Sequence, residues 1–261
     1  MACGAAVAAA VVGRPPLMEL AGRVALVTGG ARRLGRAFVE ALAAKGMRLA
    51  IHHGASAGEA DALCAALEAR GCEAASFGAD LRDAAAASAL PDRVVAQFGA
   101  LDVLINSAAV MERISVADTT VEQWDAILNL NLRAPFFVAQ GAARHLARGH
   151  GTIVNIADLG GLEPWPNYAA HSVSKAGVIM LTKVLATALA PDVTVNAIAP
   201  GTVLVPEDYD DDKRAFLSET TPLKRLGTPQ DAVNAMLYLV EHGDFVTGET
   251  LVVDGGRVLR R

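Results

Sequence analysis

The chain has 261 residues, of which 52% are apolar and 20% are charged, and its formal net charge at pH 7 is −5. An α/β chain of this length commonly folds as one domain around a large core. The negative charge and the even spread of Arg and Lys argue against the clustered basic surface that nucleic-acid-binding proteins need. We therefore expect a single domain whose partner is a small molecule.

The first seventeen residues are rich in Ala and Val, and their longest uncharged stretch, before Arg14, is too short to span a bilayer. No basic segment precedes that stretch, as it would in a secretory signal. The three cysteines form neither an even set nor a zinc-ligand pattern, which is typical of a reducing compartment. We predict a disordered extension over residues 1–17, one domain over residues 18–261, a cytoplasmic location, and neither a metal nor a membrane partner.

Short apolar runs alternate with helical patterns along the chain. Strands are predicted at residues 24–27, 49–52, 74–77, 101–105, 152–156, 193–198 and 250–253. Helices are predicted at residues 34–45, 56–70, 120–148 and 174–190, and a last one begins at Thr228-Pro229. Two of them start with capping-box spacing, Thr120 with Gln123 and Ser56 with Glu59. This alternation is typical of a parallel sheet covered on both faces, so the fold class is α/β with ligands at the carboxyl ends of the strands.

The segment from Thr28 to Gly35 reads TGGARRLG and connects the first predicted strand to the first predicted helix. Glycines at such a connection let the backbone approach a pyrophosphate, and the helix N-terminus presents free N–H groups to it. A tight strand-to-helix connection would need glycines as well. The strand before the loop and the helix after it favour the dinucleotide-binding interpretation.

The spacing of this loop resembles the fingerprint of the short-chain dehydrogenase/reductase family. Arg33 replaces the middle glycine of that fingerprint, and this replacement before Leu34 and Gly35 is similar to the pteridine reductase branch. Further segments match the family over about residues 20–258. They are Ala79-Asp80-Leu81, Asn106-Ser107-Ala108, Asn131, Pro200-Gly201 and Asp254-Gly255-Gly256.

The resemblance implies a seven-stranded, Rossmann-like, doubly wound parallel sheet. It puts Asp80 near the adenine of a nucleotide, Asn106 as a brace of the nucleotide site, and Thr202 near the nicotinamide. The full set of cofactor-binding residues that we infer is Gly29, Arg32, Arg33, Leu34, Gly35, His52, His53, Ser56, Asp80, Leu81, Asn106, Ser107, Ala108, Lys175, Pro200, Gly201 and Thr202.

The end of the second predicted strand favours NADP(H) over NAD. An acidic residue there would bind the adenosine ribose, but this chain has His52-His53-Gly54-Ala55-Ser56 and no carboxylate. Arg32 or Arg33 supplies positive charge for a 2′-phosphate, and Ser56 supplies a hydroxyl. The pteridine reductases carry a histidine, an arginine and a serine in this turn; His52 and Ser56 match, and Ala55 stands in place of the arginine.

The resemblance also implies a catalytic row, in which family members carry a tyrosine four residues before a lysine. On a helix this spacing puts both side chains on one face, where the ammonium lowers the pKa of the phenol. Here the lysine is Lys175 and its partner is His171. Asp158 replaces the serine of the family, as in the pteridine reductases, and Asn131 corresponds to the residue that positions a proton-relay water.

The identity of the proton donor stays open at this point. His171 is a capable general acid because imidazole titrates near neutrality. Asp158 would favour its protonated form, and Lys175 would oppose it. Tyr168 corresponds to a tyrosine that lines the substrate site of the pteridine reductases. It either forms an aromatic wall, which we prefer, or donates the proton itself.

The substrate and the assembly are less well defined. Val110 stands where an aromatic residue stacks on the pterin in those reductases, which makes a ketone such as a 3-oxoacyl thioester the nearest alternative to a pterin. The acidic residues 206–212 occupy the family's substrate lid, and Trp165 either lines the pocket or packs. Family members usually pair the helix of Lys175 with its copy in a partner, so we expect a homotetramer or a homodimer.

Three functions are compatible with these residues. The first is a reductase that moves hydride between NADP(H) and a carbonyl or imine carbon. The second is a nucleotide-binding protein that has lost its chemistry and acts in regulation. The third is a lyase or hydratase that uses Asp158 and His171 and keeps the nucleotide as structure. The lost tyrosine favours the last two, and the retained Lys175, Asp158 and Asn131 favour the reductase.

Overall fold

A computed structural model describes residues 18–205 and 209–259. The predicted disordered extension and part of the acidic lid segment lie outside these residues. Seven parallel strands form one sheet in the order β3-β2-β1-β4-β5-β6-β7. The strands are β1 (Val24–Thr28), β2 (Arg48–His53), β3 (Ala74–Gly78), β4 (Val103–Asn106), β5 (Thr152–Ile156), β6 (Thr194–Pro200) and β7 (Thr250–Val253). The predicted doubly wound, Rossmann-like sheet is therefore confirmed.

The part of the chain that is described has eight α-helices, and most of them pack on the two faces of the sheet. They are α1 (Arg33–Ala44), α2 (Ala57–Glu68), α3 (Ala84–Phe98), α4 (Val121–Leu128), α5 (Ala134–Leu146), α6 (Ala169–Leu189), α7 (Asp211–Thr220) and α8 (Pro229–Glu241). One core cluster packs α1, α2 and α8 against the strands, and a second packs α3 and α5 against the other face. The central strands are apolar on both sides because both faces are covered.

The helix predicted at residues 120–148 is interrupted. It begins with the expected capping box at Thr120 and Gln123, but residues 129–133 form a π-helical turn between α4 and α5. Asn131 lies in this turn, and its side chain is bonded to the backbone of Val110. Single π-helical turns are frequent at functional sites, and periodicity does not reveal them.

Helix α3 is missing from the sequence prediction. Its sequence contains Pro91, which lacks the N–H needed to continue the helical hydrogen bonds and usually marks a boundary. The helix still forms because Asp83 caps its N-terminus, Gly99 ends it with φ = 78°, and Pro91 is buried against its neighbours. Tertiary packing outweighs the local penalty here.

Helix α6 brings most of the predicted catalytic row to the sheet. It begins at Ala169, five residues before the predicted start, so that Tyr168 is its N-cap residue. By length and composition alone, this 21-residue helix is the one described helix that could cross a membrane. It packs against β6 and carries the buried Lys175.

Candidate active site

The glycine loop between β1 and α1 leaves no room for side chains at two positions. A Cβ at Gly29, where φ is 64°, would lie 2.9 Å from the Cα of Ala108, and one at Gly35 would lie 2.2 Å from the carbonyl oxygen of Gly29. The loop is thereby held against both the start of α1 and the segment after β4. This close packing forms the cradle that a pyrophosphate requires at a helix N-terminus.

Arg33 adopts a left-handed backbone conformation with φ = 52°. This region costs a side-chain-bearing residue roughly 1–2 kcal/mol, whereas glycine enters it freely. The conformation explains why a glycine is expected at this position of the fingerprint. Arg33 keeps the same backbone shape and points an exposed side chain to the outside.

Arg32 is the arginine that reaches the end of β2. Its Nη1 lies 3.4 Å from the hydroxyl of Ser56 and 3.6 Å from a carboxylate oxygen of Glu59. The capping box predicted at Ser56 is wrong, because the Ser56 side chain makes no capping hydrogen bond although it occupies the N-cap position of α2. The hydroxyl faces the arginine instead, as a phosphate-binding pair would.

His52 supports the glycine loop from within the protein. Its Nδ1 accepts a hydrogen bond of 3.1 Å from the N–H of Gly29, and its Nε2 lies 3.1 Å from the carbonyl oxygen of Ala79. Burial lowers the pKa of His52 to about 4, so the ring is neutral at pH 7. This geometry differs from the predicted direct contact with the cofactor, because both nitrogens are occupied. His53 is half-exposed and lies over Gly78.

The carboxyl ends of β3 and β4 carry the remaining residues that are predicted to bind the nucleotide. Asp80 is exposed and paired with Arg82, which keeps the pKa of the Asp80 carboxyl below its usual value, while Leu81 is buried in the core. The backbone N–H groups of Ser107 and Ala108 donate to the hydroxyl of Thr28 at 3.0 and 3.1 Å. These bonds tie the segment after β4 to the strand that carries the glycine loop.

Asn106 is buried at the end of β4. Its Nδ2 donates to Oδ1 of Asn155 at 2.9 Å, and its own Oδ1 has no hydrogen-bond partner among the described residues. A buried unpaired carbonyl oxygen is unfavourable and uncommon. Asn106 therefore offers an acceptor at the central strands, next to the proposed nucleotide edge.

The residues of the predicted catalytic row come together where β5 ends and α6 begins. Asp158 follows β5, and its Oδ1 accepts the N–H of Gly160 at 2.7 Å. Nε2 of His171 lies 3.7 Å from the same oxygen, and Nδ1 lies 3.4 Å from the carbonyl oxygen of Val110. Nδ1 thus lies within hydrogen-bond distance of an acceptor, whereas Nε2 has no hydrogen-bond partner among the described residues.

Lys175 is buried one turn after His171. Its Nζ donates to the carbonyl oxygen of Ile156 at 2.6 Å. Desolvation lowers the pKa of Lys175 to about 8, and Asp158 opposes the shift by its negative charge. The ammonium is thus held inside the protein beside Asp158.

Asn131 connects this row to the segment after β4. Its Oδ1 accepts the N–H of Val110 at 2.9 Å, and its Nδ2 donates to the carbonyl oxygen of Val110 at 2.8 Å and to the hydroxyl of Ser174 at 3.1 Å. Ser174 in turn donates to the carbonyl oxygen of His171 at 2.7 Å. The amide therefore fixes the wall of the site through Val110.

Trp165 lies next to His171, and Tyr168 lies next to Trp165. The ring of Trp165 is stacked on the imidazole with centroids 6.2 Å apart, and the ring of Tyr168 meets the edge of Trp165 at 6.0 Å. The sequence left the position of Trp165 undecided. Neither spacing nor periodicity identifies Trp165, Ser174 or Gly160 as members of this cluster, since they are brought together only by the turns before α6.

The end of β6 lies beside a cavity. Pro200 is buried, Gly201 packs against Asp254, and Thr202 borders a cavity of about 470 Å³ between residues 221–227 and the end of β7. The catalytic row does not line this cavity. The residues predicted near a nicotinamide and those predicted to transfer protons thus come from neighbouring strand ends of one sheet edge.

The fold and this site define a dinucleotide-dependent enzyme class, and comparison with known proteins identifies the family. A family profile described as "Enoyl-(Acyl carrier protein) reductase" matches residues 29–257. The chain therefore belongs to the short-chain dehydrogenase/reductase family of nicotinamide-dependent oxidoreductases.

Relatives with several named activities are similar to the chain. A protein described as "Probable galactose dehydrogenase GalD" from Rhizobium meliloti (strain 1021) is 38% identical, over 91% of this chain and 96% of that protein. A 3-oxoacyl-[acyl-carrier-protein] reductase from Synechocystis is 34% identical, over 93% of this chain and 100% of that protein. The structure of the FolM alternative dihydrofolate reductase 1 from Brucella canis, complexed with NADP, has a TM-score of 0.86 and 30% identity, and covers 92% of this chain and 96% of its own.

The buried Lys175 leads to a prediction about stability. Its folded-state pKa of about 8 lies below the ordinary value of 10.5, so between these pH values the unfolded chain binds the extra proton. The free energy of unfolding of the cofactor-free protein is therefore expected to rise across this interval, by up to about 3 kcal/mol. At pH 7, Lys175→Met is expected to stabilise the protein by roughly 1–3 kcal/mol, because it removes an ammonium whose desolvation outweighs its attraction to Asp158.

Urea denaturation of both proteins at pH 7 and at pH 10 measures the effect. The difference between wild type and Lys175→Met shrinks at pH 10 if Lys175 is the group responsible. A variant that is less stable than wild type at pH 7, or an unchanged difference at pH 10, would contradict the assignment.

Proposed function

We propose that the protein is an NADP(H)-dependent reductase that transfers hydride to the carbon of a carbonyl or imine group. The observation that carries this proposal is the adjacency, at one sheet edge, of the glycine cradle and the Asp158–His171–Lys175 row. The cradle fits a dinucleotide because Gly29 and Gly35 exclude side chains at the start of α1. Arg32 beside Ser56 and the unpaired Oδ1 of Asn106 are further suitable partners.

In this proposal each strand end holds one part of NADP(H). The first turn of α1 binds the pyrophosphate, Arg32 and Ser56 bind the 2′-phosphate, and Asp80 lies by the adenine. Pro200, Gly201 and Thr202 border the nicotinamide. A structural neighbour complexed with NADP supports the choice of nucleotide. The reduced nucleotide supplies the hydride.

His171 is the proton donor in this mechanism. With NADPH as the hydride source, the oxygen or nitrogen of the reduced bond would take its proton from the imidazole of His171. Asp158, 3.7 Å from Nε2, stabilises the protonated ring. Lys175 adds a positive charge beside Asp158, and Asn131 keeps Val110 and its carbonyl oxygen against Nδ1.

Tyr168 serves as an aromatic wall in this assignment. Its ring contacts Trp165 and not the imidazole in the described contacts, and it occupies the N-cap position of α6. His171 approaches Asp158 directly. The geometry therefore favours His171 over Tyr168 as the donor.

The substrate is a ketone or a pterin-like imine. The acyl-carrier-protein reductase among the relatives suggests a 3-oxoacyl thioester, and the dihydrofolate reductase among the structures suggests a reduced pterin. NADPH oxidation measured against 3-oxoacyl thioesters, simple ketones, quinones and dihydropterins tests the proposal. Turnover of one class identifies the substrate, and turnover of none contradicts the reductase.

A lyase or hydratase at Asp158 and His171 is the second candidate. It is favoured by the burial of His171, whose side chain is 4% exposed and whose Nε2 has no hydrogen-bond partner among the described residues. Such a site would keep the nucleotide as structure, as would a nucleotide-binding protein without chemistry. Hydration of an enoyl thioester without NADPH consumption would identify the former.

Cofactor preference gives the first prediction from this proposal. NADPH is expected to bind at least about tenfold more tightly than NADH, which corresponds to ~1.4 kcal/mol. Because Arg32 is the arginine next to Ser56, Arg32→Ala is expected to remove most of that preference. Titration calorimetry with both nucleotides measures it.

Arg33→Gly is the matched control. It removes the neighbouring charge and gives the left-handed position its favoured residue, so the preference is expected to remain. Equal affinities of wild type for the two nucleotides would contradict the 2′-phosphate site. Loss of preference in the Arg33 variant alone would transfer the role to Arg33.

The second prediction concerns the proton donor. His171→Ala is expected to lower the rate of reduction by roughly 10²–10⁴, the usual effect of a lost general acid. His171→Tyr restores the family arrangement beside Lys175 and is expected to keep or raise ketone reduction. An imidazole must be charged to donate a proton. The activity of wild type is therefore expected to fall as rising pH deprotonates His171.

Tyr168→Phe separates the two possible donors. The variant keeps the ring against Trp165 and removes only the hydroxyl, so turnover is expected to stay within a few fold of wild type. Full activity in His171→Ala together with loss in Tyr168→Phe would reassign the role to Tyr168.

The third prediction is a homodimer or homotetramer. Val173, Met180 and Val184 are 48, 59 and 53% exposed on α6, a spacing that puts three large apolar side chains on one helix face. Met180→Lys is expected to shift the mass toward the monomer in light scattering at micromolar concentration. Val116→Lys, at a 70% exposed valine outside α6, is expected not to. A monomeric wild type would contradict the assembly.

A further inference from the structure

The imidazole of His171 and the indole of Trp165 are nearly parallel. Their centroids are 6.2 Å apart and their planes differ by 11°, while Tyr168 contacts the indole at 69°. This is the range of offset stacking, with an edge-to-face contact on the neighbouring ring. The indole of Trp165 therefore lies between the ring of Tyr168 and the imidazole of His171.

Gly160 makes room for this stack. A Cβ at Gly160 would lie 3.0 Å from Cε3 of Trp165 and 3.3 Å from Oδ1 of Asp158. The same residue donates its N–H to that carboxylate oxygen at 2.7 Å. The turn after β5 thus brings the carboxylate and the indole to the imidazole together.

The groups that face His171 come from several elements. Asp158 approaches from the end of β5, and the carbonyl oxygen of Val110 approaches from the segment after β4. Lys175 lies one turn further along α6, with its Nζ directed to Ile156, and Tyr168 stands beyond the indole. A carboxylate, a carbonyl oxygen and an aromatic ring therefore lie next to the imidazole, and the ammonium of Lys175 is the cation among these groups.

We propose that Trp165 is a positioning residue, whose indole keeps His171 turned toward Asp158 and favours the protonated imidazole. The proposal rests on the role of His171 as proton donor given above. Trp165 stacks on the proposed donor, and its effect on the reaction is exerted through His171. Sequence periodicity gives no reason to connect residues 165 and 171 in this way.

Fluorescence tests the stack without any substrate. The chain has two tryptophans, so Trp124→Phe leaves Trp165 as the single emitter. A protonated imidazole in contact with an indole quenches its emission. The emission of this variant is expected to rise as His171 loses its proton, and the additional change His171→Gln is expected to remove the rise. A rise that persists with His171→Gln, or no rise in Trp124→Phe, would overturn the proposal.

Substitution of Trp165 tests its effect on the proton. The titration of the His171 ring, followed by NMR in the cofactor-free protein, is expected to move down by about 0.5–1 pH unit in Trp165→Leu. Trp165→Phe keeps an aromatic face and is expected to restore most of the shift. Circular dichroism and NADPH affinity, both expected to match wild type, show that the variants are folded.

The pH profile of turnover is expected to move by the same amount in Trp165→Leu, and Trp165→Phe is expected to restore most of it. Unchanged titration in folded Trp165→Leu would overturn the role of Trp165, whereas activity that is insensitive to His171→Ala would overturn only the proposed donor. The NMR and fluorescence measurements need no turnover, so the two failures are distinguishable.

Discussion

A buried chain of side-chain hydrogen bonds connects the two central strands to α6. Asn106 donates to Asn155 at 2.9 Å, Asn155 donates to Thr182 at 2.9 Å, and Thr182 donates to the carbonyl oxygen of Val178 at 2.8 Å. Polar groups in an apolar core are costly unless they are paired, so this chain permits few alternative positions of α6. Helix α6, which carries the predicted proton-transfer residues, is thereby fixed against the strands whose carboxyl ends are predicted to bind the nucleotide.

The same constraint applies to His171, which stands where the family resemblance predicts a tyrosine. Because α6 is fixed, its imidazole lies 3.7 Å from Asp158 and 3.4 Å from the carbonyl oxygen of Val110. A histidine at this position is compatible with a buried Lys175 and a buried Asn131.

The site also shows a conflict between stability and function. Lys175 is buried at a position where desolvation opposes its charge, and Arg33 keeps a backbone conformation that glycine prefers. Both features are unfavourable for folding and lie at the predicted cofactor and catalytic residues. Strain of this kind is tolerated where the surrounding structure determines the conformation.

Much of the fold was predictable because its signals are local. Strands such as 152–156 and 250–253 were predicted with their observed bounds, since continuous β-branched runs between polar turns have few other interpretations. Helix α3 was missed because Pro91 gives a local signal that tertiary packing overrides. The π-helical turn at Asn131 was missed because it arises from a bond to Val110, twenty-one residues away.

The sequence by itself determined the fold class, the glycine loop and the spacing of Asp158, His171 and Lys175, because the alternation of strands and helices and the helical periodicity are patterns of neighbouring residues. The tertiary structure alone decided that Arg32 rather than Arg33 faces Ser56, that His52 supports the loop with both nitrogens, and that Trp165 covers His171. These contacts join residues from different strand ends. Their geometry depends on how the sheet twists and how the turns pack, and no local pattern specifies that.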